Sequence, residues 1–399
     1  MAVRPPAADI CGGRACNGGE FALLPFLYSP VGLRKDGYRM KRVGFLTSGG
    51  DCQALNATMR GVAKGLYHIY GDEVEIIGFE DGYKGLMYAN YHAMNRSDFS
   101  GILTKGGTML GTSRQPFKLM REPDENGLDK VELMKHTYYK LKLDALVVLG
   151  GNGSQKTANL LSGEGLNVIG LPKTIDNDLW GTDMTFGFQS AVDIATNAID
   201  YIHTTAASHG RVFIVEIMGH KAGWLTLHAG IAGGADIILL PEMPYDLDKV
   251  VQKITERTKG GSRFSILAVA EGAISKEDAA LPKKEYKQKL KERAAKYPSV
   301  AYEIGAKIQE KTGQEIRVTV PGHMQRGGTP VPYDRVISSR IGAHAAEMID
   351  RGKFGRLVVM KNNVITDITL SESAGRLKTV DPESDIVKEA ALLGISFGI

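Results

Sequence analysis

The chain has 399 residues, 43% of them hydrophobic and 24% charged, with a net charge of +4. That length and balance suit a soluble globular protein of two or three domains, and the charge is too mild and scattered to mark a nucleic-acid binder; it fits clefts that hold anions. No apolar run reaches the ~18 residues of a membrane span, and the three cysteines (Cys11, Cys16, Cys52) make no disulfide framework or zinc pattern, so a reducing cytoplasm is expected.

Residues 1–39 differ from the rest. They hold Pro-Pro, Gly-Gly and two cysteines with no clean period, and read as a disordered extension. The FALLPFLYSPVGL piece is apolar, but it carries two prolines, lacks a small-residue cleavage site and has only Arg4 before it, unlike a signal peptide. From Met40 the pattern becomes regular. Residues 43–47 predict a short buried strand, Ser48-Gly49-Gly50-Asp51 a loop, and 54–68 a helix. Strand, glycine loop and helix present backbone N–H groups and a helix N-terminus to phosphate. A tight βα turn explains the same residues equally well.

Residues 74–79 predict a second strand, followed by a turn at Asp81-Gly82-Tyr83. Residues 103–116 form another glycine-rich loop, which carries Arg114. Residues 144–151 (DALVVLGG) read as a strand buried on both faces. It runs into a second phosphate-style loop, Gly150-Gly151-Asn152-Gly153-Ser154, and an amphipathic helix.

The apolar run 166–171 then leads to GLPKTIDND at 170–178. Pro172 disfavours helix at Leu171, so the run ends as a strand opening into a loop. If the backbone stays extended, Thr174, Asp176 and Asp178 share one face. Two carboxylates beside a hydroxyl and the Lys173 ammonium are acid–base and metal equipment, because mutual repulsion drives their pKa values apart. An Asp/Asn-rich turn followed by a helix cap is the plain structural alternative.

Helix 188–208 and strands 211–217, 236–240 and 264–270 follow, the last ending at Glu271-Gly272. Residues 282–297 read as a solvated basic helix, and 314–320 as a strand running into PGHMQRGG. His323 and Arg326 are three apart, so one helical turn places them side by side. Helix 333–351 and a strand at 356–361 close the pattern. Alternating strands and helices predict an α/β fold of two similar doubly wound lobes with mainly parallel sheets and the active site in the cleft between them. The expected divisions are 1–39, a donor-binding lobe at 40–180, an acceptor-binding lobe at 181–350, and a C-terminal segment at 351–399 packing back on both.

The marked residues sort into two chemistries. Gly49, Gly50, Arg114, Gly151, Gly153 and Ser154 suit a phosphate donor. Arg211, His220, His323, Arg326 and Arg317 suit a second phosphate. With Asp176 and Asp178 between them, the set describes a kinase for a sugar phosphate.

The sequence resembles the phosphofructokinase family. Gly49-Gly50-Asp51, GGNGS at 150–154, PKTIDND at 172–178, VEIMGH at 215–220, Glu271-Gly272 and GHMQRGG at 322–328 match in family order. The resemblance implies phosphoryl transfer from ATP to the 1-hydroxyl of fructose 6-phosphate in glycolysis, with Mg²⁺. It implies Asp176 as general base, Thr174 orienting nearby groups, and Asp178 helping the metal and the moving phosphoryl group. Arg114 and the Gly50 amide would stabilise phosphates. Tyr83, Gly151, Asn152, Gly153, Ser154 and Lys173 would line the donor site. Met218, Gly219, His220 and Glu271 would hold the sugar, with His323 and Arg326 on its 6-phosphate. Arg211 and Arg317 would reach in from a neighbouring subunit of a homotetramer.

Three departures bear on this. Asn152 stands where ATP-using bacterial members usually have Asp, and an amide oxygen is the weaker Mg²⁺ ligand. Pyrophosphate-using members tend to have Asp and Lys at positions 153 and 173, and familiar ATP users Gly and Gly; this chain has Gly153 with Lys173. Gly153 leaves the path of a nucleotide open and Lys173 serves either donor, so ATP is expected, with pyrophosphate as the alternative. His220 replaces a usual arginine, making charge there pH-dependent. Arg60 and Lys64 match effector-contacting positions of regulated bacterial members, while His203 departs from them, so ADP or phosphoenolpyruvate control is not expected. Two other readings are a lipid or NAD kinase, which leaves GHMQRGG without a 6-phosphate to bind, and a non-catalytic sugar-phosphate sensor, which leaves the Asp pair unexplained.

Overall fold

The computed structural model describes residues 40–399, so the expectation for residues 1–39 lies outside the described residues. The described residues open with β1 (Lys41–Ser48), α1 (Leu55–Tyr70), β2 (Val74–Phe79), α2 (Tyr83–Tyr88) and β3 (Tyr91–Met94). A long loop leads to α3 (Lys130–Lys140), β4 (Ala145–Gly150), α4 (Asn152–Gly163) and β5 (Val168–Pro172). Then come α5 (Phe188–His209), β6 (Val212–Ile217), α6 (Trp224–Ala232), β7 (Ile237–Leu239), α7 (Leu247–Lys259) and β8 (Ser265–Ala270). Next are α8 (Lys276–Ala279), α9 (Lys283–Lys296), α10 (Val300–Thr312) and β9 (Ile316–Thr319). The chain closes with α11 (Pro332–Asp350), β10 (Arg356–Lys361), β11 (Val364–Thr369), α12 (Leu370–Ser373) and α13 (Asp385–Leu392).

Two sheets result. The first runs β11-β10-β5-β4-β1-β2-β3, parallel except for its two edge strands, β3 and β11. The second runs β7-β8-β6-β9 and is parallel throughout. β4 is buried at every position because helices cover both faces, which is why its sequence is an unbroken apolar run. The edge strand β3 exposes three of its four residues and so carries no such run.

The lobes are linked in both directions. After β9 the chain returns, α11 packs along α1, and β10 joins β5 in the first sheet. Glycines let the two helices meet closely. A Cβ on Gly342 would stand 2.5 Å from the Val62 backbone nitrogen, and one on Gly61 3.1 Å from Ser339 Cα. One hydrophobic core spans both lobes, with Phe45 and Leu149 of the first sheet in the same cluster as Val215 and Ile238 of the second.

Candidate active site

β1 and β4 lie side by side with Ser48 opposite Gly150, so their two glycine loops emerge together. From β1 the chain steps to β2 on one side, while β4 lies on the other, which makes this the switch point where doubly wound sheets leave a crevice. Ser154 Oγ donates to Ser48 Oγ at 3.0 Å and locks the loops to each other. Gly49 sits at φ +88, a backbone conformation that glycine adopts without strain. A Cβ on Gly150 would lie 2.2 Å from Ser154 Cβ, whereas one on Gly153 would meet nothing within 4 Å. No side chain caps the first turn of α4 and no acidic residue lies in it, so neither a competing acceptor nor a like charge opposes an anion at its amides. Arg114 and Phe117 face these loops across a cleft of about 670 Å³.

The segment after β5 is a turn rather than extended strand, so the expected alternation does not hold. Thr174 Oγ1 accepts from the Asp176 amide at 3.0 Å, and Asn177 takes the left-handed conformation at φ +51. The Asn177 side chain fixes the turn by donating to Asp183 O (3.3 Å) and accepting from the Thr185 amide (3.0 Å). The turn still delivers Lys173, Thr174, Asp176 and Asp178 to the cleft. Burial raises the pKa of Asp176. Asp178 is pushed up to about 6, first by burial and then by the Asp176 charge. One oxygen of Asp176 is buried with no hydrogen-bond partner. Lys173 is only 4% exposed; its ammonium donates to the Gly50 carbonyl, and burial lowers its pKa.

The facing wall comes from the second sheet. Met218 and His220 follow β6, with His220 in the left-handed region at φ +52. Glu271 holds that bend: its Oε1 accepts from the His220 amide at 2.7 Å and the Gly219 amide at 3.3 Å. Gln325, fully buried, accepts from the Met218 amide at 3.2 Å, and its own carbonyl accepts from Gln53 at 3.0 Å. His323 and Arg326 sit on a 3₁₀ turn, where residues three apart eclipse one another, and both line the cleft. Arg326 Nη1 reaches across to donate to the Asp51 carbonyl at 2.9 Å.

Four expected site residues lie elsewhere. Tyr83 is 1% exposed and donates to the Ser154 carbonyl at 2.8 Å, so it braces the second glycine loop from beneath. Gly219 lies behind the cleft wall, on Glu271. Arg211 precedes β6, at the end away from the cleft, and Arg317 lies on the edge strand β9; both pair with Glu315, Arg211 Nε at 2.5 Å from its carboxylate. Arg60 and Lys64 line a separate basic pocket with Arg96, whereas His203 turns to the Gly233 carbonyl at 2.8 Å. Sequence reasoning passed over Ser48, Phe117 and Gln325. Ser48 stood in the SGGD loop and could have been found; a buried glutamine in a glycine-rich stretch gives no signal.

Two amide-lined loops, a carboxylate pair and a cationic wall converge on one crevice, which defines an α/β protein built for phosphoryl transfer between two phosphate-bearing ligands. The particular assignment follows from comparison: the Phosphofructokinase family model matches residues 42–349, and the chain belongs to that family. It is 54% identical over 362 residues to the ATP-dependent 6-phosphofructokinase of Spirochaeta thermophila, covering 89% of this chain and 97% of that one. It is 46% identical to the ATP-dependent 6-phosphofructokinase 3 of Bacteroides thetaiotaomicron, covering 90% and 100%. Among solved structures, the phosphofructokinase of Saccharomyces cerevisiae superposes with a TM-score of 0.70 at 31% identity, over 84% of this chain and 45% of that one. A pyrophosphate-dependent phosphofructokinase from Nitrosospira multiformis shares the fold, with a TM-score of 0.73 at 20% identity over 87% and 88% of the chains.

Proposed function

We propose that this protein phosphorylates the 1-hydroxyl of fructose 6-phosphate with ATP, as a cytoplasmic enzyme of glycolysis. The observation that carries the reading is the unpaired, buried oxygen of Asp176, held between the amide-lined loops and the His323/Arg326 wall. A buried acceptor without a donor is costly, and an incoming hydroxyl relieves that cost while aligning its proton for removal. Thr174 fixes the Asp176 backbone, and the Gly50 amide with Arg114 meets the charge of the transferring group. Glu271 orients sugar hydroxyls beside Met218 and His220, and His323 with Arg326 holds the 6-phosphate.

ATP is supported by the open space at Gly153 and by the names of the relatives above. Lys173, beside the Gly50 carbonyl, suits a phosphate of either donor. The residues present fit Mg²⁺: Asn152 carries a buried side-chain oxygen with no partner, and the Asp178 carboxylate lines the same cleft. With so few protein ligands, the ion would keep waters and phosphate oxygens and would neutralise the donor's charge. Arg211 and Arg317 do not line this chain's own cleft and pair with Glu315 instead. Their place fits a homotetramer in which they complete a neighbour's acceptor site.

Initial rates on fructose 6-phosphate with Mg²⁺, comparing ATP with pyrophosphate, test the reading. Turnover with ATP is expected. Turnover with pyrophosphate alone would mean that Lys173 rather than Gly153 decides the donor, and no turnover with either would overturn the assignment.

A further inference from the structure

Beyond residue 349, where the family match ends, the chain returns to the donor end of the cleft. Ser373 Oγ donates to the Trp180 carbonyl at 2.9 Å. Leu377 bridges Leu179, and the Lys378 amide donates to the Asp178 carbonyl at 2.9 Å. The Lys378 ammonium donates to the carbonyls of Thr182 (2.9 Å) and Asp183 (3.0 Å), while Trp224 Nε1 donates to the Lys378 carbonyl at 3.0 Å. The Arg376 guanidinium lies 3.9 Å from the centre of the Trp180 ring. Residues 373–378 thus form a strap pinned to the aspartate loop and to α6.

The strap also touches Asn152, whose Nδ2 donates to the Arg376 carbonyl at 2.6 Å. A backbone carbonyl can only accept, so the amide must turn its nitrogen to the strap. Its oxygen is thereby left buried with no partner, on a side chain that lines the cleft.

We propose that the strap is a positioning device for Asn152: the Arg376 carbonyl selects the amide orientation that presents Oδ1 to the bound donor and its cation, and this makes Asn, not Asp, the residue that works here. The proposal rests on the donor entering at this end of the cleft, as in the function proposed above. A carboxylate at 152 would set acceptor against acceptor and push the strap away. The helix alone prefers the reverse, because an acid in the first turn of α4 is favoured by the helix dipole. The two effects predict opposite results for one substitution.

The test compares Asn152→Asp and Asn152→Ala with the parent. The chain has two tryptophans. Trp180 stacks on Arg376 and Trp224 bonds Lys378, so intrinsic fluorescence reports whether the strap is seated without any ligand present. The emission is expected to shift in both variants and more in Asn152→Asp, since alanine removes a tie while aspartate adds repulsion. The KM for ATP, with Mg²⁺ present, should rise roughly tenfold or more in both, in Asn152→Ala because the hydrogen-bonding oxygen is gone and in Asn152→Asp because the carboxylate, repelled by the Arg376 carbonyl, is no longer held in place although its oxygens remain. The KM for fructose 6-phosphate stays near the parent value. An unshifted emission in Asn152→Asp, a larger shift in Asn152→Ala, or an unchanged ATP KM would each overturn the proposal. A parent without turnover would remove the proposed reaction instead, and the fluorescence comparison would still decide the strap.

Discussion

Asp176 and Asp178 sit one residue apart around a left-handed Asn177, and neither is free to ionise as it would in water. Burial raises the pKa of both, and the charge of Asp176 adds to the shift at Asp178, whose value reaches about 6 against an ordinary 3.8. A base must be ionised to accept a proton, so kcat/KM should fall as pH drops through the raised pKa of Asp176, with Asp178 taking up its own proton at about 6. The fall should be steeper than one proton predicts, because the two carboxylates titrate as a coupled pair. The sign for stability is the opposite. A raised folded pKa favours the protonated form, so the contribution of Asp178 to stability is present below 3.8 and is lost as pH rises through about 6. Asp176→Asn should lower kcat by about 10²–10⁴ with little change in the KM for fructose 6-phosphate, and should abolish the steep acid limb; a pH series of initial rates on both proteins checks the pair of outcomes. The residue types at this site were legible in the sequence, since glycine loops and charges fell together at strand ends. Their directions were not. Asp176 and Asp178 reach the cleft through a turn set by Asn177 and Thr185, and Tyr83 points into the core because Ser154 offers it a carbonyl.

At the scale of elements, the buried parallel strands could be read from apolar runs, whereas the pairing of α1 with α11 could not. That pairing depends on glycines far apart in the chain meeting backbone to backbone. Nothing in either helix alone announces the other. Gly342→Ala weighs two effects against each other. Alanine gains about 1 kcal/mol in helix propensity. Its methyl group, however, would stand 2.5 Å from the Val62 nitrogen, which belongs to backbone and cannot rotate aside. Overpacking of this kind costs roughly 1–3 kcal/mol and can exceed that, so net destabilisation is expected, read as a lower urea midpoint at unchanged slope. An equal or higher midpoint would mean that the two helices separate easily. The strap of residues 373–378 was invisible for a similar reason: its link to Asn152 runs through a backbone carbonyl, which leaves no mark on the sequence.

At the scale of the molecule, Arg211 and Arg317 are the expected second-phosphate residues that stay outside the cleft, held by Glu315. If they complete a neighbour's site, a subunit carrying Arg317→Ala and one carrying Asp176→Asn should each be nearly inactive alone. Refolded or co-expressed together they should regain a fraction of parental activity, because some mixed sites then have an intact base and an intact arginine. Size-exclusion chromatography of the mixture establishes that hybrids form, and hybrids without recovered turnover would place the arginines outside catalysis.

The order of strands has one more consequence, for synthesis. The second sheet, β6 to β9, is contiguous in the chain, while the first waits for β10 to cover the edge of β5. As the polypeptide leaves the ribosome, the later lobe can close before the earlier one. Until Arg356–Lys361 emerges, β5 presents an apolar, unpaired border, the kind of surface on which nascent chains stick to one another. Stalled chains ending before residue 356 should therefore depend on chaperones more heavily than chains released after residue 369, although the residues of the cleft are already present in both.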